Sequence, residues 1–511
     1  VNVRQDGKKG EIRLTIIYTK KKFPPPPFDA EVAAMLYYRL LYEGEHAEIF
    51  PRAKMLGNGK KFRMKRVGYK RWQQTEEVVA TGDQYVVANF AGLVAEIPAD
   101  LLNRSIGNIS ADTETSEDEL AFIKSVANAS KPTEKMWATV TQHQVDGLVA
   151  YRARRDSKGK VWFEWVLGDR YFPHEDDNGA DIAWIEEQGD ESKMEKFLRV
   201  ERQRLEESGL TVEQLVFKME GDTVSDKIET ATYAAAYAVD IPEDAELLGV
   251  EELLCGFVTN DETLLKPRGR SALRNIDTLQ EEINWTITRD SIVFEKHGKP
   301  KLAIPKGLWD TVANKNNKDY GQRFVRNADL EVVSYDENKG AVPMYIVWDA
   351  KTDQSFKHVE RLIKYMLAVS KTSPQASGLE EGTGAKAAVA MLYEWMTSVI
   401  KAEAIKSKFD SALKDAFRKC IILENFLGSK QMEVKDPVIE WGDMLPKADS
   451  EKATEELDKY EGGVQSLETT VRRIHPDWSE EAIKDEIKKI QDEKAIDSFD
   501  PQFKQPPKVT V

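Results

Sequence analysis

The sequence predicts an α+β fold, and three observations lead to it. Apolar residues spaced by three and four run through several long stretches, the pattern of one helix face. Period-two alternation gathers in the block 136–253. A smaller strand-bearing module, residues 298–348, stands between two of the helical stretches.

Residues 1–22 are basic and hold one alternating run, 11–18, which reads as an edge strand. Pro24 to Pro27 form a stiff spacer. A helix follows over 28–43, carrying Val32, Met35, Leu36, Leu40 and Tyr42, with Asp29 marking its start. From Arg52 to Arg71 there are nine Lys or Arg and no acid. That run is either a solvated face or loop, or a contact with nucleic acid or an acidic partner surface. Residues 85–102 read as a helix leading to Pro98 and a second short turn, 112–119 as an acidic loop, and 121–129 as a short helix. In the strand-rich block, 147–153 and 160–166 alternate and are joined by Asp156-Ser157-Lys158-Gly159, a hairpin signal. Their sheet is the natural place for Trp162, Trp165 and Trp184 to bury. Residues 197–207 read as a charged helix and 215–219 as a short strand.

The stretch 268–426 organises the chain. Its first helix opens at Arg268-Gly269-Arg270-Ser271 and carries Leu273, Ile276, Leu279, Ile283 and Ile287 to about Phe294. The module 298–348 follows, with short strands at 301–304, 330–335 and 344–347 in a small α/β unit. A second helix, 353–369, holds Phe356, Val359, Ile363 and Met366. A third meets no Gly or Pro between Gly384 and Gly428, and its stripe includes Ala388, Leu392, Trp395, Val399, Phe409, Leu413, Phe417 and Cys420. Unbroken, it would be ~60 Å long. The loop 372–384 before it has three glycines and one large apolar residue, Leu379, which excludes it from the core. Beyond it, 438–441 reads as a strand returning to the first domain, and 451–460, 467–474 and 479–493 as helices, the last with Ser479 as N-cap.

A chain of 511 residues is long enough for about three domains. With 41% hydrophobic and 32% charged residues it is globular, not disordered. The net charge of −15 argues against adhesion to nucleic acid by overall charge. Cys255 and Cys420 are too few for a disulfide framework, and a reducing cytoplasm during synthesis fits. No membrane span and no secretory signal are expected.

The sequence carries little that could do chemistry. Residues 378–386 lack the G-x-x-x-x-G-K-[ST] spacing of a phosphate loop. No two histidines share a metal-ligand spacing. His174-Glu175-Asp176-Asp177 is one local cluster that could hold a cation, although a solvated turn explains it as well. Glu281 and Glu282 are adjacent and diverge on a helix. Cys420 reads as inert core. No cofactor, metal or catalytic residue is expected.

Arg268-Gly269-Arg270-Ser271 leading into a long helix resembles the start of the stem in tailed-bacteriophage portal (head–tail connector) proteins, in the subfamily of long-tailed phages of Gram-positive hosts. Trp441-Gly442-Asp443-Met444-Leu445-Pro446 and Ile474-His475-Pro476-Asp477-Trp478-Ser479-Glu480-Glu481 are similar too, and the order of parts agrees over roughly 28–493. Where the family has Ser-Gly before the third helix, this chain reads Gly382-Thr383-Gly384-Ala385-Lys386. The resemblance implies a portal-type subunit: wing 1–267, stem helix 268–296, clip 297–349, second stem helix 350–371, tunnel loop 372–384, tunnel helix and wing return 385–447, crown 448–495 and flexible tail 496–511. It implies a homododecameric ring at one capsid vertex, a channel for double-stranded DNA, and docking of the terminase large subunit and then the head-completion adaptor, beside major capsid and scaffolding proteins. The DNA-channel residues would be Lys371, Thr372, Ser373, Pro374, Gln375, Ala376, Ser377, Gly378, Leu379, Glu380, Glu381, Gly382, Thr383, Gly384 and Lys386. Arg268, Arg270 and Arg274 at the start of the stem would pair across subunits with acids such as Asp277 and Glu281, or act as a weak brake on DNA. The alternatives are a packaging enzyme, ATPase or nuclease, and a coiled-coil scaffold.

Overall fold

The computed structural model describes residues 16–55, 61–66, 72–77, 85–111, 116–156, 158–189, 194–297, 301–305, 331–335, 344–346, 352–379, 388–428, 431–445, 449–475 and 478–499. The chain divides into two units, one of residues 1–382 and 395–442, the other of 383–394 and 443–511.

In the first unit, Pro24 to Pro27 turn instead of extending, closed by the Phe28 N–H on the Pro25 carbonyl at 2.9 Å. Of the expected strand 11–18, residues 11–15 lie outside the described residues and 16–18 join no ladder. Helix α1 (Asp29–Tyr42) buries Val32, Met35 and Leu41 and leaves Leu36 exposed. Two short helices follow, α2 (His46–Ile49) and α3 (Pro51–Met55). Part of the basic run 52–71 then forms an antiparallel hairpin, β1 (Lys61–Arg66) with β2 (Trp72–Glu77), Lys61 opposite Glu77. Residues 56–60 and 67–71 of that run lie outside the described residues.

Helix α4 (Phe90–Ser105) starts later than its periodicity suggests and runs on through Pro98. The late start has a cause. Gln280 and Asn284 accept the N–H groups of Ala91 and Ala88, at 2.8 and 3.0 Å, and Thr288 Oγ1 accepts that of Val86 at 2.9 Å. These three side chains, one turn apart, hold 86–88 extended. After β3 (Ile106–Ser110), α5 (Glu117–Ser130) begins inside the expected acidic loop, capped reciprocally by Ser116 and Glu119. Helix α6 (Pro132–Asp146), with proline in its first turn, replaces the start of the strand-rich block.

The expected hairpin is β4 (Leu148–Arg155) and β5 (Val161–Leu167), with Val149 opposite Leu167. A larger antiparallel sheet follows: β6 (Tyr171–Pro173), β7 (Gly179–Gln188), β8 (Glu195–Glu206), β9 (Gly209–Glu220) and β10 (Thr223–Ile228), in the order β10-β9-β8-β7-β6. The charged helix expected at 197–207 is therefore a central strand, β8. Its Phe197, Leu198 and Val200 are buried, and so are Arg199, Glu201 and Gln203. Helix α7 (Thr230–Tyr237) places Tyr233 on Phe197, and β11 (Ala245–Leu248) pairs with β9. β12 (Cys255–Thr259) completes the smaller sheet, β12-β4-β5. Trp162, Trp165 and Trp184 are half-buried.

Helix α8 (Asp277–His297) begins nine residues after Arg268. The expected stripe residues Leu273 and Ile276 are fully buried, but from a turn. Among its described residues, the module after α8 has three strands: β13 (Lys301–Pro305), parallel to β14 (Glu331–Tyr335) and antiparallel to β15 (Met344–Ile346). Helix α9 (Thr352–Val369) packs along α8 and buries Leu362 and Met366, with Phe356 exposed. Helix α10 (Ala388–Leu427) runs unbroken for 40 residues, ~60 Å. Phe409, Leu413, Phe417 and Cys420 are buried as its stripe requires, with the Phe417 ring 5.3 Å from Phe163 of β5. β16 (Val438–Trp441) returns to pair with β3.

The second unit contains α11 (Asp449–Glu461), α12 (Leu467–Ile474) and α13 (Glu480–Phe499). The Ser479 hydroxyl accepts the Ala482 N–H at 3.3 Å, as an N-cap would. Residues 500–511 lie outside the described residues.

Candidate functional site

The residues singled out by sequence fall in two places: the approach to α8, and the root of the loop, where the end of α9 and the middle of α10 meet α4. The approach is fixed by backbone bonds. The Arg270 N–H donates to the Asn260 carbonyl at 2.8 Å, and the Ala272 N–H to the Gln144 carbonyl at 2.8 Å. Gly269 has φ +78°, and a Cβ there would stand 2.4 Å from the Gly147 carbonyl oxygen, so only glycine fits. With these bonds taken and Asn275 left-handed, 268–276 cannot wind into the helix.

Arg268 and Arg270 find partners inside the chain. Arg268 Nε donates to both carboxylate oxygens of Glu31, at 2.9 and 3.0 Å, and Nη2 to the Tyr171 carbonyl at 3.0 Å. Its guanidinium lies 4.8 Å from the Phe28 ring centre. Arg270 Nη2 donates to Asp261 at 2.6 Å. Within the chain, these two arginines fasten the approach to α1 and to its own turn. Arg274 is half-buried, and Asp277 accepts from the Tyr37 hydroxyl at 3.3 Å.

The root of the loop is more ordered than its composition suggests. Helix α9 ends with Lys371 left-handed at φ +55°, the Lys371 N–H on the Ala368 carbonyl at 3.3 Å and the Thr372 N–H on the Leu367 carbonyl at 2.9 Å. Ser370, Thr372 and Ser373 are buried, contrary to the expectation that the whole loop stays out of the core. Small polar residues can be buried there because each has a partner. The Ser373 N–H donates to the Ser398 hydroxyl of α10 at 2.8 Å, and the Ser370 hydroxyl to the Leu367 carbonyl at 3.1 Å. Pro374 begins a 3₁₀ turn, Gln375–Ser377, closed at Gly378 by a bond from its N–H to Gln375. Ala376 and Ser377 are half-buried, while Gly378 and Leu379 are exposed. Glu380, Glu381, Gly382, Thr383, Gly384 and Lys386 lie outside the described residues.

Sequence reasoning missed Lys401. Its ammonium donates to the carbonyls of Ser370 at 3.3 Å and Val94 at 3.4 Å. Burial, and then the Lys371 charge, push its pKa down to about 8. Its only signal in the sequence is a lysine one turn after Ser398.

Elsewhere, a polar cleft of about 570 Å³ is lined by Tyr151, Phe257, Lys408, Lys414, Asp415 and Arg418. Its charges are spent on each other: Arg418 pairs with Asp415 and Glu252, Lys414 with Asp410, and Lys408 with Glu262. His174 is buried and bonds Asp181 at 2.9 Å, and Asp176 pairs with Arg204 at 3.0 Å, so the 174–177 cluster is neither a cation site nor merely a solvated turn. Among the described residues no group of three His, Cys, Asp or Glu could hold a metal ion, and no helix is long and apolar enough to cross a membrane. Burial raises both thiols, Cys255 to about 12.

An α+β body, a helix pair joined through a small mixed sheet, and a single helix of 40 residues beside that pair define an α+β subunit of portal type. Comparison with protein families gives the family itself. Residues 36–498 match the family described as phage portal protein, SPP1 Gp6-like, and the chain belongs to it. It is a bacteriophage portal protein, of a structural family that assembles into the capsid and serves genome packaging. No curated protein matches the chain.

Proposed function

We propose that the protein forms a ring, dodecameric by family analogy, at one capsid vertex of a long-tailed phage of a Gram-positive host. Double-stranded DNA passes through its channel during packaging and ejection. The observation that carries this reading is the order α8, three-stranded sheet, α9, loop, 40-residue helix, within a chain that matches the portal family over 36–498. On this reading α8 and α9 are the stem, 297–349 is the clip, 372–384 the tunnel loop, α10 the tunnel helix, 1–267 with β16 the wing, and 448–495 the crown. The clip docks first the terminase large subunit and then the head-completion adaptor, and the wing and crown meet capsid and scaffolding proteins. The net charge of −15 suits a channel wall, since each phosphate neutralised would release counterions and add affinity to a duplex that must slide.

Negative-stain images and mass photometry of the purified protein test this reading. Rings with a central hole and a mass near twelve subunits are the expected result. Only monomers at micromolar concentration would overturn it. DNA-stimulated ATP hydrolysis by the purified chain would favour a packaging enzyme instead.

A further inference from the structure

Ser398 and Lys401 lie one turn apart on α10, which sets both side chains on one face of the helix. The Ser398 hydroxyl, 1% exposed, accepts the Ser373 N–H and lies 3.3 Å from the Ser373 hydroxyl. The Ser373 hydroxyl in turn accepts the Ala376 N–H at 3.3 Å, so the 3₁₀ turn hangs on the same link. Lys401 supplies two acceptors short of donors: besides Lys401, the Ser370 carbonyl takes a long bond of 3.5 Å from the Thr372 hydroxyl. Ser370 stands at the C-terminal end of α9, where the last carbonyls have no intrahelical donor. Val94 lies four residues before Pro98, which has no N–H to give it. A cation here also faces the negative end of the α9 dipole.

We infer that Ser398 and Lys401 are positioning residues that latch the root of the loop, residues 370–377, onto α10. A displacement of the loop beyond Gly378 is then passed to α10 and α4 instead of being absorbed at the end of α9. The latch is polar by necessity. Ser370, Thr372 and Ser373 carry too little apolar surface to hold the segment by burial, so the hydrogen bonds hold it. Its service to DNA movement rests on the channel role proposed above; the latch itself does not.

The test is hydrogen exchange of the full chain, read by mass spectrometry on Ser398→Ala, Lys401→Met, the double variant and the conservative Ser398→Thr. Peptides within 372–378 are expected to exchange at least about tenfold faster in Ser398→Ala and faster again in the double variant. Peptides within 353–366 should be unchanged, which shows that the fold is intact, and Ser398→Thr should behave as wild type. Exchange in 372–378 at the wild-type rate in the double variant overturns the latch, whatever the protein does with DNA. The second readout is DNA packaging into capsids assembled with the variants. Slowed packaging in capsids with normal portal content supports transmission from loop to helix. Packaging at the normal rate despite accelerated exchange overturns transmission alone.

Discussion

Arg152 and Glu201 meet at 2.6 Å with side chains 6% and 7% exposed, joining β4 of the smaller sheet to β8 of the larger. Glu164 is a second acceptor for Arg152 at 2.6 Å, the Trp184 ring lies 5.0 Å from the guanidinium, and Gln203 donates to Glu201 at 2.9 Å. Removing one partner of so buried a pair leaves an uncompensated charge, at a cost of ~3–5 kcal/mol. Arg152→Met should therefore lower the denaturation midpoint strongly. Glu201→Gln keeps an acceptor and should lower it less. Combining Arg152→Met with Glu201→Gln should cost less than the sum of the two single changes.

The same pair shows why β8 was illegible as a strand. Its charges read as a solvated helix, and only the neighbouring strand β7, for Arg199 and Arg202, and the smaller sheet, for Glu201, reveal that each has a partner. Where local pattern and tertiary demand agree, the sequence was enough: the β4–β5 hairpin, the helical span of α9 and Phe409, Leu413, Phe417 and Cys420 of the α10 stripe stand as their periodicity requires. Where a distant group takes a backbone bond, it was not. Gln280, Asn284 and Thr288 hold back the start of α4, and Asn260 and Gln144 delay α8. Of the candidate site, the loop position was legible from its glycines and its place between two helices. Its fastening by Ser398 and Lys401 was not, because the matching acceptor arises from Pro98, some three hundred residues earlier in the chain.

Two glycines with the same left-handed backbone should respond differently to alanine. At Gly269 a Cβ would meet the backbone oxygens of Gly147 and Asn260 at 2.4 and 2.6 Å. At Gly378, φ +70°, nothing lies within 4 Å. Gly378→Ala is expected to cost only the left-handed strain, ~1–2 kcal/mol. Gly269→Ala adds a backbone clash, so its drop in melting temperature should be clearly larger. Equal drops would mean that the approach to α8 yields easily.

His143 is buried against Phe409, its ring 5.2 Å away, and burial pushes its pKa down from 6.5 to about 4. Between those values the unfolded chain binds a proton that the folded chain refuses. Stability is therefore full above pH 6.5 and is lost as pH falls toward 4. The loss at about pH 5 is ~2 kcal/mol from this group. His143→Gln should remove that share. The measurement is the shift in urea midpoint between about pH 7.5 and about pH 5, which should be smaller in the variant.

Among the described residues, the sheet of this module has β14 and β15 as its edges. A unit this small buries little on its own, and pairing with a neighbouring subunit would close such edges. Replacing 299–347 with a short flexible linker should yield monomers or heterogeneous aggregates by light scattering. Homogeneous rings from that variant would show that self-association does not need the module.

Lys371 occupies the left-handed position that closes α9, where helices usually place glycine. Its charge is the second cause, after burial, that pushes Lys401 from 10.5 down to about 8. Lys371→Gly removes the backbone strain and that repulsion together, while the burial of Lys401 remains. The pKa of Lys401 should therefore rise only part of the way back to 10.5. Linkage gives the sign for stability. Between about 8 and 10.5 the unfolded chain holds a proton on Lys401 that the folded chain has released, so stability rises with pH across that window. In Lys371→Gly the window narrows and the rise flattens. Amine acylation of Lys401, followed by mass spectrometry from about pH 7 to about pH 10, reports the free amine directly. Its midpoint should lie near 8 in the wild type and higher in the variant. A midpoint that does not move would mean that burial alone sets this lysine and that Lys371 plays no part in tuning the contact with Ser370 and Val94.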